Sequence, residues 1–189
     1  MKISFNAPFT LTFTAVAMVT GAFSALSNGA MSMHFFSVYT PIHIQDPYSI
    51  LRLFTHILGH ANLAHFSANF SLILLVGPMV ENSYGSWRLF LMTLITAAVT
   101  GFVHIFFFSS ALMGASGIAF MMILLGSLAN SRKGAIPMSF LLVAFIYIGN
   151  ELLMIFENDN VSQIAHIVGG LCGATFGLLT RKTNKTPNS

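Results

Sequence analysis

Charge is scarce in this chain. Eight Lys and Arg and five Asp and Glu are spread over 189 residues, 7% of the total, where soluble domains carry about a quarter. That shortage excludes water as the main solvent. Cysteine is scarcer still: Cys172 stands alone inside an apolar run, so neither an intrachain disulfide nor a thiolate metal cluster is available. The acids are Asp46, Glu81, Glu151, Glu157 and Asp159, which leaves no aspartate within an apolar span. No internal repeat, low-complexity tract or inverted hydropathy symmetry is present, which argues against a secondary transporter. The formal charge of +3 comes with no basic stripe and no basic-aromatic interleaving, so no nucleic-acid partner is expected.

What the chain does have is hydrocarbon, 55% of its residues being hydrophobic. Six apolar runs, at about 8–27, 63–80, 89–108, 111–129, 135–153 and 161–180, each approach the roughly 20 residues that a helix needs to cross a bilayer core. The expected fold is therefore an all-α membrane protein of six transmembrane helices. A single domain spans 1–180, and a short polar tail follows over 181–189. The first run is longer than the apolar core of a signal peptide, and Ser27–Asn28 is a weak cleavage context, so it is read as a true helix. Lys2, Arg88, Arg132, Lys133, Arg181, Lys182 and Lys185 fall on one side of this arrangement and Arg52 alone on the other. Basic residues are retained in the cytoplasm, so both termini are expected there. The long connection between the first two runs contains Pro41, Asp46 and Pro47 among many apolar residues. It suits a segment lying in the outer membrane interface, or a packed cap.

Polar residues within spans are costly, which makes each one a candidate for function. Gly114-Ala115-Ser116-Gly117 lies where the chain passes from loop into the fourth span. Flanking glycines allow close approach to a serine nucleophile, and amides at a helix start can bind an oxyanion. The same small residues also suit a helix–helix contact. His166 lies about as far inside the sixth span as Ser116 lies inside the fourth, both about 8 Å below the outer surface at 1.5 Å per residue. A Ser–His dyad can be assembled from these two helices. Gly169 and Gly173, three and seven residues after His166, form a small-residue face aligned with it. His65 and Asn69 are four apart on one face of the second span and can donate to an oxyanion. His56 and His60 could ligate a metal or make structural hydrogen bonds in the loop. The histidine-flanked glutamate of a zinc hydrolase is absent, so no metal is expected. His104 reads as a packed or interfacial residue.

Together these pieces resemble the rhomboid family of intramembrane serine proteases in its compact six-span prokaryotic form. They are His56, His60, His65 and Asn69, then Glu81, then Gly114-Ala115-Ser116-Gly117, then Ala165-His166-x-x-Gly169-x-x-x-Gly173, and the resemblance runs from about Leu51 to Leu179. It implies Ser116 as nucleophile, His166 as its base, and His65, Asn69 and the Ser116 amide as the oxyanion hole. Gly114, Gly117 and Phe120 would shape the pocket, and no cofactor is implied. Implied partners are the lipid bilayer and single-span transmembrane protein substrates; the implied location is a bacterial inner membrane. The outer half of the fifth span, with Ile146, Tyr147, Gly149 and Asn150, is the implied gate. Leu51 stands where the family commonly has Trp, and Phe120 where it commonly has Tyr. A catalytically inactive relative that binds membrane clients is the competing reading, although such proteins usually lack the dyad retained here.

Overall fold

The first amides of a helix have no acceptor within it, and the first helix, α1 (Pro8–Leu26), meets this problem at once. Its N-cap is Ala7, which offers no side-chain acceptor, and Pro8 removes one donor at the first position. The remaining donors are met by a carboxylate from another helix. Glu81 accepts from the amides of Phe9 (2.8 Å) and Thr10 (2.9 Å) and from the Thr10 hydroxyl (2.7 Å). Ser86 Oγ donates to the same group at 2.6 Å. Glu81 is only 4% exposed, and it faces the positive end of the α1 dipole.

The computed structural model describes residues 5–42, 45–129, 136–142, 145–146 and 163–180. Among the described residues every regular element is helical, and the one extended pairing is an isolated bridge between Val38 and Leu112. Two short helices, α2 (Ala30–Phe35) and α3 (Pro47–Thr55), occupy the long first connection, followed by a single 3₁₀ turn at His56–Leu58. Then come α4 (Leu63–Tyr84), α5 (Ser86–Phe107), α6 (Ser116–Leu128) and α7 (Gln163–Leu179). Helices α1, α4 and α5 are long and apolar enough to cross a membrane, while α6 and α7 are shorter apolar helices. Large apolar side chains such as Leu75 and Phe106 point outward, 76% and 78% exposed, as expected where the solvent is lipid. Of the predicted fifth span, 138–142 and 145–146 are helical; its remaining residues, and the tail at 181–189, lie outside the described residues.

Arg52 closes the first connection. It is 5% exposed and donates to the His34 carbonyl (3.0 Å), Tyr39 Oη (2.8 Å), Ser49 Oγ (2.9 Å) and Asp46 Oδ2 (3.2 Å). Its guanidinium also lies 4.4 Å from the centre of the Tyr39 ring. Asp46 in turn caps α3 by accepting from the Tyr48 amide at 3.0 Å. Leu51 is 49% exposed, so anchoring falls to its neighbour.

The predicted fourth span begins at 111, whereas α6 begins at Ser116. Ala111, Leu112 and Met113 are apolar enough to continue the run. Gly114, however, has φ +128, which ends any helix from that side, and Leu112 is held by Val38 through paired backbone bonds of 2.9 and 2.8 Å. Glu81, expected just past the second span, lies within α4, which runs on through Pro78 to Tyr84.

Helix α6 is the core of the assembly, with Met121, Met122 and Leu125 wholly buried. It meets α7 through glycines at every fourth position. A Cβ on Gly169 would fall on the Gly117 carbonyl oxygen, one on Gly173 on the Met121 carbonyl oxygen, and one on Gly177 would come 2.6 Å from Leu128 Cδ1. Backbone thus touches backbone over two turns.

Gly173→Val is expected to lower stability by at least about 1–3 kcal/mol, read as an earlier unfolding transition in detergent; an unchanged transition would show that the helices do not pack this closely. Glu81→Ala, which strips the α1 terminus of its acceptor, is expected to cost about 1.5–3 kcal/mol. Glu81→Gln, retaining an amide oxygen, should recover part of that loss in the same measurement.

Candidate functional site

Gly114 sets the geometry around the candidate nucleophile. Its amide donates to the His56 carbonyl at 3.0 Å, which fixes the segment before α6 against the 3₁₀ turn. A Cβ at this position would stand 2.7 and 2.8 Å from Cε1 and Nε2 of His65, and 3.4 Å from Nδ2 of Asn69. The left-hand φ and the missing side chain are therefore both required. They bring bare backbone against the imidazole and the carboxamide. Immediately afterwards Ala115 acts as N-cap without any side-chain hydrogen bond, and the first intrahelical bond runs from the Ala119 amide to the Ala115 carbonyl. Ser116 thus opens a helix whose first amides have no intrahelical acceptor.

His166 reaches the same place from α7. Its ring stacks on Phe120 with centroids 4.5 Å apart and planes 18° from parallel. Phe120 lies one turn beyond Ser116 and so shares its face. A Cβ on Gly117 would come 3.0 Å from the Ala165 carbonyl oxygen and 3.7 Å from Thr100 Oγ1. The glycine contacts that pack α6 against α7 therefore also set the serine-bearing turn beside the histidine-bearing turn. Ser116 and His166 are both half-buried.

On α4, Asn69 is 6% exposed, and its Nδ2 has no hydrogen-bond partner among the described residues. A buried carboxamide donor left open is costly unless something arrives to accept from it. His65 lies one turn earlier, and its ring meets that of His60 edge-on at 5.2 Å. The sequence motif residues are thus brought together: Ser116, Gly117 and Phe120 from α6, His166 and Gly169 from α7, His65 and Asn69 from α4, with Gly114 between them.

The other histidines have separate surroundings. His56 is 1% exposed, with Nδ1 3.2 Å from the Arg52 carbonyl, and burial pushes its pKa down to about 4. Burial does the same to His60, with the neighbouring His65 adding to the effect and the Leu58 carbonyl pulling weakly the other way, again to about 4. Both are neutral at physiological pH. Among the described residues no group of three His, Cys, Asp or Glu side chains is placed to hold a metal ion. His104 is packed in its helix, Nε2 3.0 Å from the Ser110 carbonyl oxygen, its ring stacked on Phe108.

Two of the five acids are occupied elsewhere: Asp46 caps α3 and Glu81 caps α1. Glu151, Glu157 and Asp159, together with Tyr147, Gly149 and Asn150 of the expected gate, lie outside the described residues. One polar feature went unread in the sequence. Thr93, Thr96, Thr100 and His104 line one buried face of α5, and Thr100 reaches the Ser116–Gly117 turn. Their spacing of three and four in an otherwise apolar span was the signal.

A family model described as the rhomboid domain matches residues 47–183. Rhomboid protease GlpG of Haemophilus influenzae is 22% identical over 151 residues, covering 78% of this chain and 79% of that protein. Rhomboid protease GluP of Bacillus subtilis is 34% identical over 131 residues, 66% of this chain but 25% of its own length, so this chain spans about a quarter of that relative. The match covers α3 to α7 and the connections between them, and so every residue of the cluster around Ser116. With its long apolar helices and a domain match over most of its length, this chain is an integral membrane protein that belongs to the rhomboid family.

Proposed function

We propose that this protein is an intramembrane serine endopeptidase working through a Ser116–His166 dyad. The observation that carries the proposal is the convergence of three helices. A serine opens an uncapped helix, a histidine stacks one turn away across a glycine contact, and a buried carboxamide with an open donor faces the same backbone. In this reading Ser116 Oγ attacks the scissile carbonyl carbon while His166 accepts its proton. The carbonyl oxygen takes up the negative charge and is met by Asn69 Nδ2, the His65 ring and the Ser116 amide. Collapse breaks the C–N bond, and His166 returns the proton to the leaving amine. Water then attacks the acyl-enzyme, with His166 again taking and returning the proton, to release the carboxylic acid and restore Ser116. No third carboxylate is needed, since the Phe120 ring can hold the imidazole in place.

The full topology in this proposal is six spans with both termini in the cytoplasm of a bacterial cell and the dyad near the outer face of the inner membrane. Substrates are single-span membrane proteins, cut within or beside their transmembrane segment. The outer half of the fifth span, with Ile146, Tyr147, Gly149 and Asn150, serves as the gate in this reading, since access from the bilayer must be controlled for hydrolysis to be selective.

Purified protein in liposomes is expected to cleave a single-span reporter, and Ser116→Ala and His166→Ala should each lower the rate by at least about 10³-fold. Equal cleavage by all three proteins would remove the dyad from the mechanism. Silence of the wild type, with no labelling of Ser116 by a fluorophosphonate, would favour non-catalytic client binding. Asn69→Ala, which strains no backbone, is expected to reduce turnover about 10²-fold with an unchanged unfolding transition. Gly114→Ala should match or exceed that loss, because its Cβ collides with His65. Full activity in both variants would exclude this oxyanion site.

A further inference from the structure

Between the second half of α1 and the entry to α4 lies a cavity of about 400 Å³, lined largely by apolar groups. Gly21, Ala22 and Ala25 form its α1 wall, and His60, Leu63 and Phe66 form the other. Small residues hollow this face of α1: a Cβ on Gly21 would meet nothing within 4 Å. The volume falls within the roughly 300–1,000 Å³ range of small-ligand pockets.

One wall residue does not suit an empty apolar space. His60 is 5% exposed, and neither of its ring nitrogens makes a well-formed hydrogen bond among the described residues, the Leu58 carbonyl acting on the ring only weakly. The Leu58 carbonyl beside it already accepts a full hydrogen bond from Thr20 Oγ1 at 2.9 Å. A neutral imidazole carries one donor and one acceptor, and burying both unmet is unfavourable. The cavity therefore calls for a ligand that is mostly hydrocarbon with an isolated polar atom. It lies at the end of α4 that bears His65, the end at which the chain leaves the hydrocarbon for the interface.

We propose that the cavity is a lipid site, holding one acyl chain of a bilayer phospholipid whose ester carbonyl accepts a hydrogen bond from the His60 ring. A peptide segment fits less well, because every residue would bring an amide and a carbonyl to be satisfied, and the cavity wall offers few polar groups. A free anion or cation fits no better, since no Asp, Glu, Lys or Arg lines it. The edge contact between His60 and His65 makes the bound lipid a neighbour of the catalytic cluster.

The test needs no proteolysis, so its outcome is separate from that of the protease reading. The wild-type chain is placed in phosphatidylcholine vesicles with a trace of phosphatidylcholine bearing a diazirine on one acyl chain, irradiated, digested and mapped. Labelling is expected to concentrate on the peptides carrying residues 18–29 and 60–66, above the lipid-facing surface around Leu75. Gly21→Leu, which fills the cavity and improves helix propensity, should remove the excess while leaving labelling near Leu75 and the unfolding transition unchanged. An ether-linked probe, lacking the ester carbonyl, should give about five-fold less of the excess, corresponding to one lost hydrogen bond. Uniform labelling, an excess that survives Gly21→Leu, equal excess from ester and ether probes, or displacement by a single-span peptide but not by phospholipid would each overturn the proposal.

Discussion

Lipid tails are as apolar as leucine, so a membrane protein cannot rely on hydrophobic burial to bring its helices together. Here the constraint is met by direct backbone contact between α6 and α7, where Gly117, Gly169 and Gly173 leave no side chain between the two helices. Dispersion and dipolar contacts act over short distances, which favours this arrangement. The contact also has a directional effect. Because Gly117 follows Ser116 and Gly169 lies one turn from His166, the same packing that stabilises the bundle sets the separation of the proposed dyad. Any change that moves the helices apart moves the chemistry apart as well.

Among the described residues, the buried Glu81 and Arg52 are used for connection rather than for catalysis. Glu81 joins the start of α1 to the end of α4 and the start of α5, and Arg52 gathers α2, α3 and the segment between them. A charge out of water is tolerable only when its hydrogen-bonding capacity is filled. Glu81 accepts four such bonds and Arg52 donates four. Each therefore restricts the backbone around it, which suits segments whose positions hydrophobicity alone would leave undetermined.

Hydrophobic length made α1, α4 and α5 readable to within a few residues, because a helix that crosses lipid must be continuously apolar. It misplaced the start of α6, since Ala111, Leu112 and Met113 look like membrane residues while Gly114 takes a backbone conformation that no hydropathy scale records. The residues of the candidate site were visible as a spaced pattern, and they do lie together. What could not be read was contact across distance in sequence. Glu81 reaches α1 over 71 and 72 residues, Gly177 extends the glycine series against Leu128, and Thr100 approaches the serine turn from α5. These depend on helix rotation, which the apolar composition of each span leaves open.

The constellation around Ser116 has a further property. Among the described residues it contains no carboxylate, ammonium or guanidinium, since Glu81 and Arg52 are committed elsewhere. The voltage across a membrane does work only on charge that it can displace, about 2.3 kcal/mol per elementary charge per 100 mV. A site assembled from hydroxyl, imidazole, carboxamide and peptide groups offers that field no permanently ionised handle. The described polar groups around Ser116 are thus electrically quiet, and a voltage across the surrounding bilayer would find little in them to displace.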